Sequence, residues 1–462
     1  MRSSLWPIRT GQSHAPWLWV FLLSGPWAAK LYFEQISNVA ITFKLREFTS
    51  TPAIITAVGS FNLVFNILVG ASCNYSSDRI WTRWGRRKPF LMFGWGTIAV
   101  GCLILPEINT LWLLIAALFF YEMLRDMDNP CEALINEVVP PKQRGRSQAI
   151  LTFMREAMKV LFFAVLIGRW DETYELPFLG TIMGDKVVFW TGTLIALGAM
   201  AFVWFGIEET PPAHRPPPRP PLTFAFVGGA VRKFVRDVFG QRQWRAIYAV
   251  AVAQMIFWIG FGSLTPLLFT EEWGFSKQTY GNIIAMGSPF VLFVCLPIGG
   301  WIADRMDRLT LFKSLAFGVT ACHLVFFIYL KLRGGTGSPP LAVVLAYWLL
   351  HTGIGSVGVV CTVSMMFDFV PRDRLGTVSS GIGITRGVAS IVVNNGIGLW
   401  ITGWSQLSGN PETAGYDYES GFIYLIFCGV AATSVAFWFA RQVNAGRLIK
   451  HGVIEAEAAL KI

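Results

Sequence analysis

Charged side chains occur at helical spacing inside a long apolar stretch, residues 110–136. Arg125, Asp128 and Glu132 follow an i, i+3, i+7 spacing, which predicts that they share one helix face. Carboxylates accept hydroxyl protons and a guanidinium donates to ring or hydroxyl oxygens, so this set of groups suits a polyhydroxylated ligand such as a sugar. The alternative is a buried ion network that only fixes helix packing. The same stretch also carries Glu122 and Asp126.

The next apolar stretch, residues 147–168, carries Arg155, Glu156 and Lys159, with its two bases one turn apart. Acids on one helix and bases on the following helix can neutralise each other where the dielectric is low. Further along, Asn394 and Asn395 can bond a hydroxyl or can bond between helices. Our candidates for ligand contact from these stretches are Asp128, Glu132, Arg155, Lys159 and Asn395.

The composition indicates that membrane-spanning helices position these side chains. The chain has 462 residues, of which 53% are hydrophobic and 14% charged, whereas soluble domains carry about 25% charged residues. A helix needs about 20 apolar residues to cross the hydrocarbon core. We predict an all-α polytopic membrane protein with about twelve spans, numbered one to twelve in chain order: 17–43, 53–75, 89–106, 110–136, 147–168, 187–207, 246–269, 280–303, 311–331, 340–368, 376–403 and 421–440.

Basic residues predict the orientation of the spans. With the N-terminus inside, the inner segments hold about 26 of the 38 Lys and Arg residues and the outer loops hold about seven. This asymmetry places both termini in the cytoplasm, and it explains the net charge of +10 without nucleic acid. No cleavable signal is expected, because Lys30 and Glu34 interrupt the first apolar run.

The chain divides into four predicted regions. Two six-span bundles flank a proline-rich cytoplasmic linker that ends in an amphipathic helix. Two bundles joined by such a linker are typical of a transporter that binds a small solute near mid-membrane and alternates access to it. The regions are the bundles 1–207 and 245–442, the linker 208–244 and a cytoplasmic tail 443–462.

An internal repeat supports the two halves. Ser76–Phe90 follows span two and Gly299–Phe312 follows span eight, and both segments place Asp-Arg and further arginines in a tight inner loop. We predict that these loops form a latch that breaks when the bundles move, whereas the alternative is simple positive-inside charge. The first Asp could bond backbone N–H groups or pair with Arg144 or Arg146. The gating-loop candidates are Asp78, Arg79, Gly85, Arg86, Arg87, Asp304 and Arg305.

Proton coupling would require a titratable group whose pKa burial moves toward neutrality. Glu34 is one candidate, with Lys30 one turn before it. His323 and His351 also lie in spans, although a lone His in an apolar helix is more often a structural hydrogen-bonding residue. The other acidic candidates are Glu122 and Asp126.

The whole chain resembles the major facilitator superfamily, on the evidence of these loops and the span layout. The segments SDRIWTRWGRRKPF and Met127–Arg146 resemble the corresponding sequences of the glycoside–pentoside–hexuronide cation symporters (the melibiose permease group) and of the sucrose-transporter type. In that group an Asp two residues before the Pro of span four and an Arg of span five contact the sugar, which implies these roles for Asp128 and Arg155. A basic residue followed by Gly in span eleven is also typical, which implies a cargo role for Arg386.

The resemblance is incomplete at the cation site. Sodium-using members of the group carry acidic residues in span two, where this chain has Asn62, Asn66 and Gly70. We keep Asn66 among the cation-coupling candidates. The absence of acidic residues from span two favours a proton over sodium as the coupling cation.

Several functions are excluded by missing motifs. The sequence has no phosphate-binding loop with Lys-Ser/Thr, no HExxH metal motif and no nucleophile elbow, so we expect no enzyme activity, no cofactor and no metal. The sequence predicts a monomeric, plasma-membrane symporter of a sugar or glycoside, with a proton as the coupling cation, or less favourably sodium. The alternatives are an exporter or antiporter of another small solute, and a non-transporting membrane scaffold on the same fold.

Overall fold

The structure is a computed structural model, and the parts of the chain that it describes are almost entirely helical. Every predicted span coincides with a helix, which confirms the predicted all-α polytopic class. The described residues are 8–9, 17–77, 80–140, 143–177, 180–209, 224–334, 337–370, 375–409 and 415–448.

Eight helices in the described parts of the chain are long and apolar enough to cross a membrane. They correspond to spans two, three, six and eight to twelve. Their bounds are Pro52–Asn74, Lys88–Glu107, Gly184–Gly206, Lys277–Ile302, Arg308–Leu332, Leu341–Val359, Val378–Ser408 and Tyr418–Asn444.

The remaining four spans are helices interrupted by tighter or wider turns. Span one comprises Trp17–Gln35, the π-helical turn Ile36–Ala40 and Ile41–Arg46. Three of these four spans (one, four and five) carry the charged side chains singled out above, and turns of this kind often mark functional sites. The pieces of the others are Leu111–Arg125, Asp126–Asp128 and Pro130–Val138 in span four, Arg144–Val160, Leu161–Leu166 and Ile167–Arg169 in span five, and Arg242–Ile259, Gly262–Leu264, Thr265–Leu267 and Leu268–Glu272 in span seven.

Span four bends at the middle of its charged segment. Pro130 begins the helix Pro130–Val138, and the three residues Asp126–Asp128 form a 3₁₀ turn before it. Proline has no N–H and its ring clashes with the carbonyl four residues earlier, which here belongs to Asp126. The side-chain Nδ2 of Asn129 donates to that carbonyl at 3.2 Å. The bend therefore alters the regular i, i+3, i+7 alignment predicted for Arg125, Asp128 and Glu132.

The described residues form two compact units. The first takes the residues before position 219 together with Phe275–Ser288, which is the outer part of span eight. The second takes the remainder of the chain. In the second unit, a core of buried aliphatic and aromatic side chains includes Val238, Phe312 and Phe439.

Two short β-ladders join chain segments within the first unit. β1 (Ile8–Arg9) pairs in parallel with β4 (Ile207–Glu208), in the register Ile8 to Ile207. This pairing places Ile8 and Arg9 beside the end of span six. β2 (Thr173–Leu176) and β3 (Gly180–Met183) form an antiparallel hairpin between spans five and six.

The predicted amphipathic helix of the linker is present as Phe224–Phe239. Val238 is buried and its carbonyl accepts from the Tyr248 hydroxyl at 2.9 Å, which ties the helix to span seven of the second unit. Arg232, Lys233 and Arg236 are exposed, as the sequence predicts. The proline-rich part of the linker lies outside the described residues.

Candidate functional site

Arg125 of span four holds three helices of the first unit together. Its Nη1 donates to Ser37 Oγ of span one at 2.6 Å, and its Nη2 donates to Asn62 Oδ1 of span two at 2.7 Å. On its own span, Nε lies 3.4 Å from Glu122 and Nη2 lies 3.4 Å from Asp126. With its side chain buried and its donors used in this way, Arg125 serves to position the cluster rather than to contact a ligand.

Lys30 of span one is the counterion of Asp128. Its Nζ lies 3.5 Å from Asp128 Oδ1 and donates to Asn129 Oδ1 at 2.8 Å. Asp128 is only 3% exposed, and a buried carboxylate needs such a partner because an unpaired charge is costly. The sequence places Lys30 one turn before Glu34, and in the structure its ammonium also reaches the bend in span four.

Two glycines allow neighbouring helices to approach this bend. A Cβ on Gly94 of span three would lie 2.8 Å from the backbone nitrogen of Asp128, and a Cβ on Gly70 of span two would collide with the Asn129 side chain. Only a residue without a side chain fits at either position. Close packing from spans two and three therefore fixes the backbone that carries Asp128.

The buried cluster has an excess of acid. Among the described side chains it contains the carboxyls of Glu122, Asp126 and Asp128, and the cations Arg125 and Lys30. Glu122 Oε2 and Asp126 Oδ2 are buried and have no hydrogen-bond partner among the described residues. Three acids against two bases leave one negative charge uncompensated, which a bound proton would remove.

A second, looser group joins spans one and five. Arg155 Nη2 lies 4.0 Å from Glu34 Oε2, and its guanidinium carbon lies 5.7 Å from the centre of the Trp27 ring. Arg155 is 40% exposed and Glu34 is 34% exposed, so this pair can open to a ligand at little cost. Lys159 lies 4.0 Å from Glu156 on its own helix.

These contacts correct the predicted pairing of the charges. The sequence suggested that acids of span four would meet bases of span five. In the structure Asp128 is met by Lys30, and Glu122 and Asp126 are met by Arg125 of span four itself. Arg155 is met by Glu34 of span one. Consecutive helices need not present their charged faces to each other, because the rotation of each helix is set by all its neighbours.

Two further candidates in this unit, Asn66 and Glu132, lie outside the contacts described so far. Asn66 is exposed, and its neighbour one turn earlier, Asn62, is the amide that joins the cluster. Glu132 lies in the helix Pro130–Val138, but its side chain lies outside the described set. The described side chains contain no group of three or more His, Cys, Asp or Glu that could hold a metal ion.

The second unit carries its own polar side chains in mid-span. Arg386 Nη2 donates to Gln254 Oε1 of span seven, and Gln254 Nε2 donates to the Val359 carbonyl of span ten at 3.4 Å. Asn394 Oδ1 accepts from the backbone and hydroxyl of Ser263, where span seven is broken. Asn395 donates to the Ile391 carbonyl of its own helix.

His323 and His351 of this unit pack against each other. His323 Nδ1 lies 3.0 Å from the Tyr347 hydroxyl, and the ring centres of His323 and His351 are 5.1 Å apart. Both rings are buried among aromatic side chains, including Phe422. His323 makes a structural hydrogen bond of the kind that the sequence favoured, whereas His351 Nε2 is buried without a hydrogen-bond partner among the described residues.

The inner loop between spans two and three is held by two carboxylates. Glu209, just after span six, accepts from the backbone N–H groups of Arg86, Arg87 and Lys88 at 2.9 to 3.2 Å. A carboxylate at a helix N-terminus satisfies N–H groups that have no partner within the helix. Gly85 has φ of +113°, and a Cβ there would lie 2.6 Å from Glu209 Oε1. Glycine is thus required at position 85.

Glu137, at the inner end of span four, joins the side chains of the same loop. Its Oε1 accepts from Arg87 Nη2 at 2.6 Å and also pairs with Arg86. Burial raises the pKa of Glu137, and the two guanidinium groups act against that rise. Because these contacts cross from the loop to spans four and six, they lock the inner ends of three helices.

Other gating-loop candidates are only partly described. Asp78 and Arg79 lie outside the described residues, as does the Asp304 side chain. Arg305 is exposed, with its guanidinium 4.4 Å from the Trp301 ring centre. The corresponding ion pair in the second unit is Arg308 with Asp368 at 2.9 Å. The sequence had suggested Arg372 or Arg374 as partners of Asp368, and both lie outside the described residues.

Sequence reasoning overlooked Glu137, Glu209 and Gln254. Glu137 and Glu209 lie at the ends of apolar stretches, shortly before prolines, which indicates helix ends. Nothing in the sequence indicates that both contact the same loop at Arg86 and Arg87. Gln254 is one polar residue in an apolar helix, a signal that could have been noticed.

Comparison with known proteins agrees with this geometry. The sequence profile of the Major Facilitator Superfamily matches residues 28–394. The chain belongs to the Major Facilitator Superfamily. No curated protein matches it.

Solved structures of other major facilitator proteins share the fold of this one. A peptide transporter of the POT type in complex with sulfate has a TM-score of 0.67 at 12% identity, covering 96% of this chain and 98% of its own. A D-xylose–proton symporter has a TM-score of 0.59 at 14% identity, covering 92% and 97%. A bacterial homologue of the human lysosomal transporter Spinster has a TM-score of 0.62 at 14% identity, covering 92% and 97%. At these identities the likeness shows the fold of an integral membrane transporter.

Proposed function

We propose that this protein is a proton-coupled symporter of a sugar, glycoside or similar polyhydroxylated solute, of the melibiose permease type. The observation that carries the proposal is the buried cluster of the first unit, which holds three carboxyls against two bases. Superfamily members of similar fold include both a sugar–proton symporter and a peptide transporter. The fold is therefore compatible with this cargo without specifying it.

A proton suits the cluster better than sodium. Sodium would need several oxygen ligands around one point, but the Asn62 oxygen is already occupied by Arg125. The ammonium of Lys30 lies beside Asp128 and would repel a second cation there. A proton needs only one carboxyl oxygen, and Glu122 Oε2 and Asp126 Oδ2 are both without a hydrogen bond among the described residues.

Cargo would bind through the more open groups beside this cluster. Arg155, Glu34 and Trp27 offer donors, an acceptor and a flat apolar ring, the chemistry that a pyranose ring requires. A hydroxyl that inserts between Arg155 and Glu34 would replace their long contact with two shorter hydrogen bonds. Asp128 would accept from a cargo hydroxyl while Lys30 stays beside it. Cargo over the cluster would exclude water, which makes the uncompensated negative charge more costly, so cargo binding and proton binding would favour each other.

Access would alternate through the inner loop. The contacts of Glu137 and Glu209 with Arg86 and Arg87 tie spans three, four and six at their inner ends. These contacts must break or move when an inner path opens, so they bias the equilibrium between states without touching cargo. We place the protein in the plasma membrane as a monomer with both termini cytoplasmic.

The test is flux into proteoliposomes that contain the purified chain. Labelled mono- and disaccharides are offered under an imposed pH gradient and, separately, under a sodium gradient. We expect accumulation driven by pH alone. Sodium-driven accumulation would contradict proton coupling, and efflux or exchange alone would indicate an exporter or antiporter. Absence of any flux would favour a scaffold.

A further inference from the structure

A tight turn, Thr82–Gly85, lies in the inner loop between spans two and three. Two backbone hydrogen bonds close it: the Thr82 N–H donates to the Gly85 carbonyl at 3.0 Å, and the Gly85 N–H donates to the Thr82 carbonyl at 3.1 Å. The Thr82 hydroxyl also donates to the Gly85 carbonyl at 2.7 Å and accepts from the Trp84 N–H at 3.2 Å. Arg83 and Trp84 therefore form the tip of a well-bonded turn, and both side chains are exposed.

The side chains at this tip pack against a second indole. The Arg83 guanidinium carbon lies 4.5 Å from the centre of the Trp84 ring, and that ring centre lies 5.6 Å from the ring centre of Trp204 in span six. A guanidinium over an indole face is attracted by the ring, and its N–H groups remain available to an acceptor. Among the described residues, neither the Arg83 guanidinium nor either indole N–H has a hydrogen-bond partner.

Trp204 lies at the inner end of an exposed apolar face of span six. Leu194, Leu197 and Trp204 are exposed at helical spacing, and the helix ends two residues later at Gly206. An apolar face that stays exposed on a membrane-spanning helix contacts lipid, and Trp side chains are enriched where hydrocarbon meets the headgroups. The turn that packs on Trp204 therefore lies at headgroup depth, on the side that we predict to be cytoplasmic.

One guanidinium and two indole N–H groups at this depth suit a phosphodiester. A guanidinium binds two phosphate oxygens in bidentate geometry, and an indole N–H can only donate. The carboxylate beside the turn does not take the place of such a ligand. It belongs to Glu209, which is held by the backbone N–H groups of the three residues after Gly85. The inner leaflet itself supplies phosphate, and its negative surface attracts basic side chains.

We propose that Arg83, Trp84 and Trp204 bind the phosphate of an anionic phospholipid of the inner leaflet. The guanidinium holds two phosphate oxygens, the indole N–H groups donate to the headgroup, and the acyl chains lie along the exposed face of span six. A headgroup with net negative charge is preferred, because a zwitterionic lipid carries its own cation beside the phosphate and Arg83 repels that cation. The site uses none of the cargo or proton groups, so it does not depend on the proposed function.

The test measures lipid binding to the purified full chain in detergent by native mass spectrometry. Dioleoyl phosphatidylglycerol and dioleoyl phosphatidylcholine are titrated separately, and an apparent affinity is obtained for the first bound lipid. The contribution of one basic side chain near an anionic surface leads us to expect that phosphatidylglycerol binds about fivefold or more tightly. Arg83→Gln should abolish this preference, Arg83→Lys should retain part of it, and Trp84→Leu should weaken it. Arg245→Gln removes an exposed charge at the inner end of span seven and should preserve it.

Three results would overturn the lipid site: equal affinity for the two lipids, a preference that survives in Arg83→Gln, or an equal loss in Arg83→Gln and Arg245→Gln. Inorganic phosphate at the concentration of the lipid must not displace it, since displacement would indicate a site for a free anion. If the Arg83 variants do not fold, dioleoylglycerol, which lacks the phosphate, is titrated on the wild-type chain. Binding of this neutral lipid as tightly as phosphatidylglycerol would also refute the proposal.

Discussion

The ammonium of Lys30 lies 3.5 Å from the carboxylate of Asp128. Lys30 lies on span one and Asp128 lies at the bend of span four, so this ion pair joins two helices at mid-membrane. Few other groups can replace either partner of this pair. One N–H of the Lys30 ammonium already donates to Asn129, and Asp128 is almost fully buried. A change at either residue should consequently affect both stability and transport.

Lys30→Met should destabilise the protein by roughly 3–5 kcal/mol, since it leaves Asp128 buried without a partner. Asp128→Asn removes the charge and should be milder. The double variant should recover much of the loss, because neither charge is then unpaired. Thermal unfolding of the four proteins measures the coupling, and additive losses would show that the pair contributes nothing.

Asp128→Asn should nevertheless abolish accumulation of cargo while the protein remains folded and inserted. The amide keeps the size of the side chain but loses the negative charge that the cluster requires. Uptake by reconstituted Asp128→Asn is compared with that of Lys186→Gln, which changes an outer pair between Lys186 and Glu107. Undiminished accumulation by Asp128→Asn would remove this residue from the site.

Glu137→Gln should shift the protein toward the state that is open on the inner side. Arg86 and Arg87 both bind the Glu137 carboxylate, and the amide would retain only one acceptor and no charge. We expect faster modification of cysteines introduced at the inner end of span four, with thermal stability lowered by no more than about 2 kcal/mol. Arg232→Gln is the control, because Arg232 is exposed on the helix Phe224–Phe239 and lies outside this loop. Unchanged modification rates would show that Glu137 does not hold a gate.

Glu272 should make the second unit less stable as pH rises. It lies three residues beyond predicted span seven. Burial raises its pKa to about 7, and the nearby carboxylates of Asp417 and Glu419 act in the same direction. The Tyr418 N–H, which donates to Glu272, and the charge of Lys331 lower the pKa by less. A pKa above the unfolded value near 4.5 means that folding favours the protonated form. Its stabilising contribution is complete below about pH 4.5 and is lost as pH rises through about 7.

Glu272→Gln should therefore flatten this part of the pH dependence. The variant should match the wild type at pH 5 and unfold at a temperature on the order of a few degrees higher at pH 8. Thermal unfolding across that interval provides the measurement. A wild-type slope that persists in Glu272→Gln would assign it to another group.

The sequence predicted the spans better than the contacts between them. Hydropathy and length are local properties, so all twelve predicted spans coincide with helices. Pro130 indicates a bend in span four, but the regular helical spacing used for Asp128 did not take that bend into account. The partners of Arg125 on other spans could not be foreseen, because Ser37 lies on span one and Asn62 on span two, and they meet Arg125 only after the helices pack.

Inner-loop contacts show the same limit. The repeated Asp-Arg pattern identified the loop as special, yet the described carboxylates that hold it, Glu137 and Glu209, come from the ends of spans four and six. Position 85 needs glycine for two reasons. The positive φ is a local property of the loop, whereas the contact with Glu209 exists only in the folded protein. Pairings between distant segments depend on tertiary geometry that no spacing rule contains.

Cargo-induced proton movement tests the central claim most directly. Proteoliposomes that contain the chain and a trapped pH indicator receive cargo from outside without an imposed gradient, and cargo uptake is counted in parallel. We predict lumenal acidification of about one proton per cargo molecule, because the cluster lacks one positive charge. The signal should vanish in Glu122→Gln/Asp126→Asn, which removes the two carboxyls that each carry a buried oxygen without a hydrogen bond among the described residues. Cargo entry without acidification, or acidification that persists in that double variant, would contradict the account.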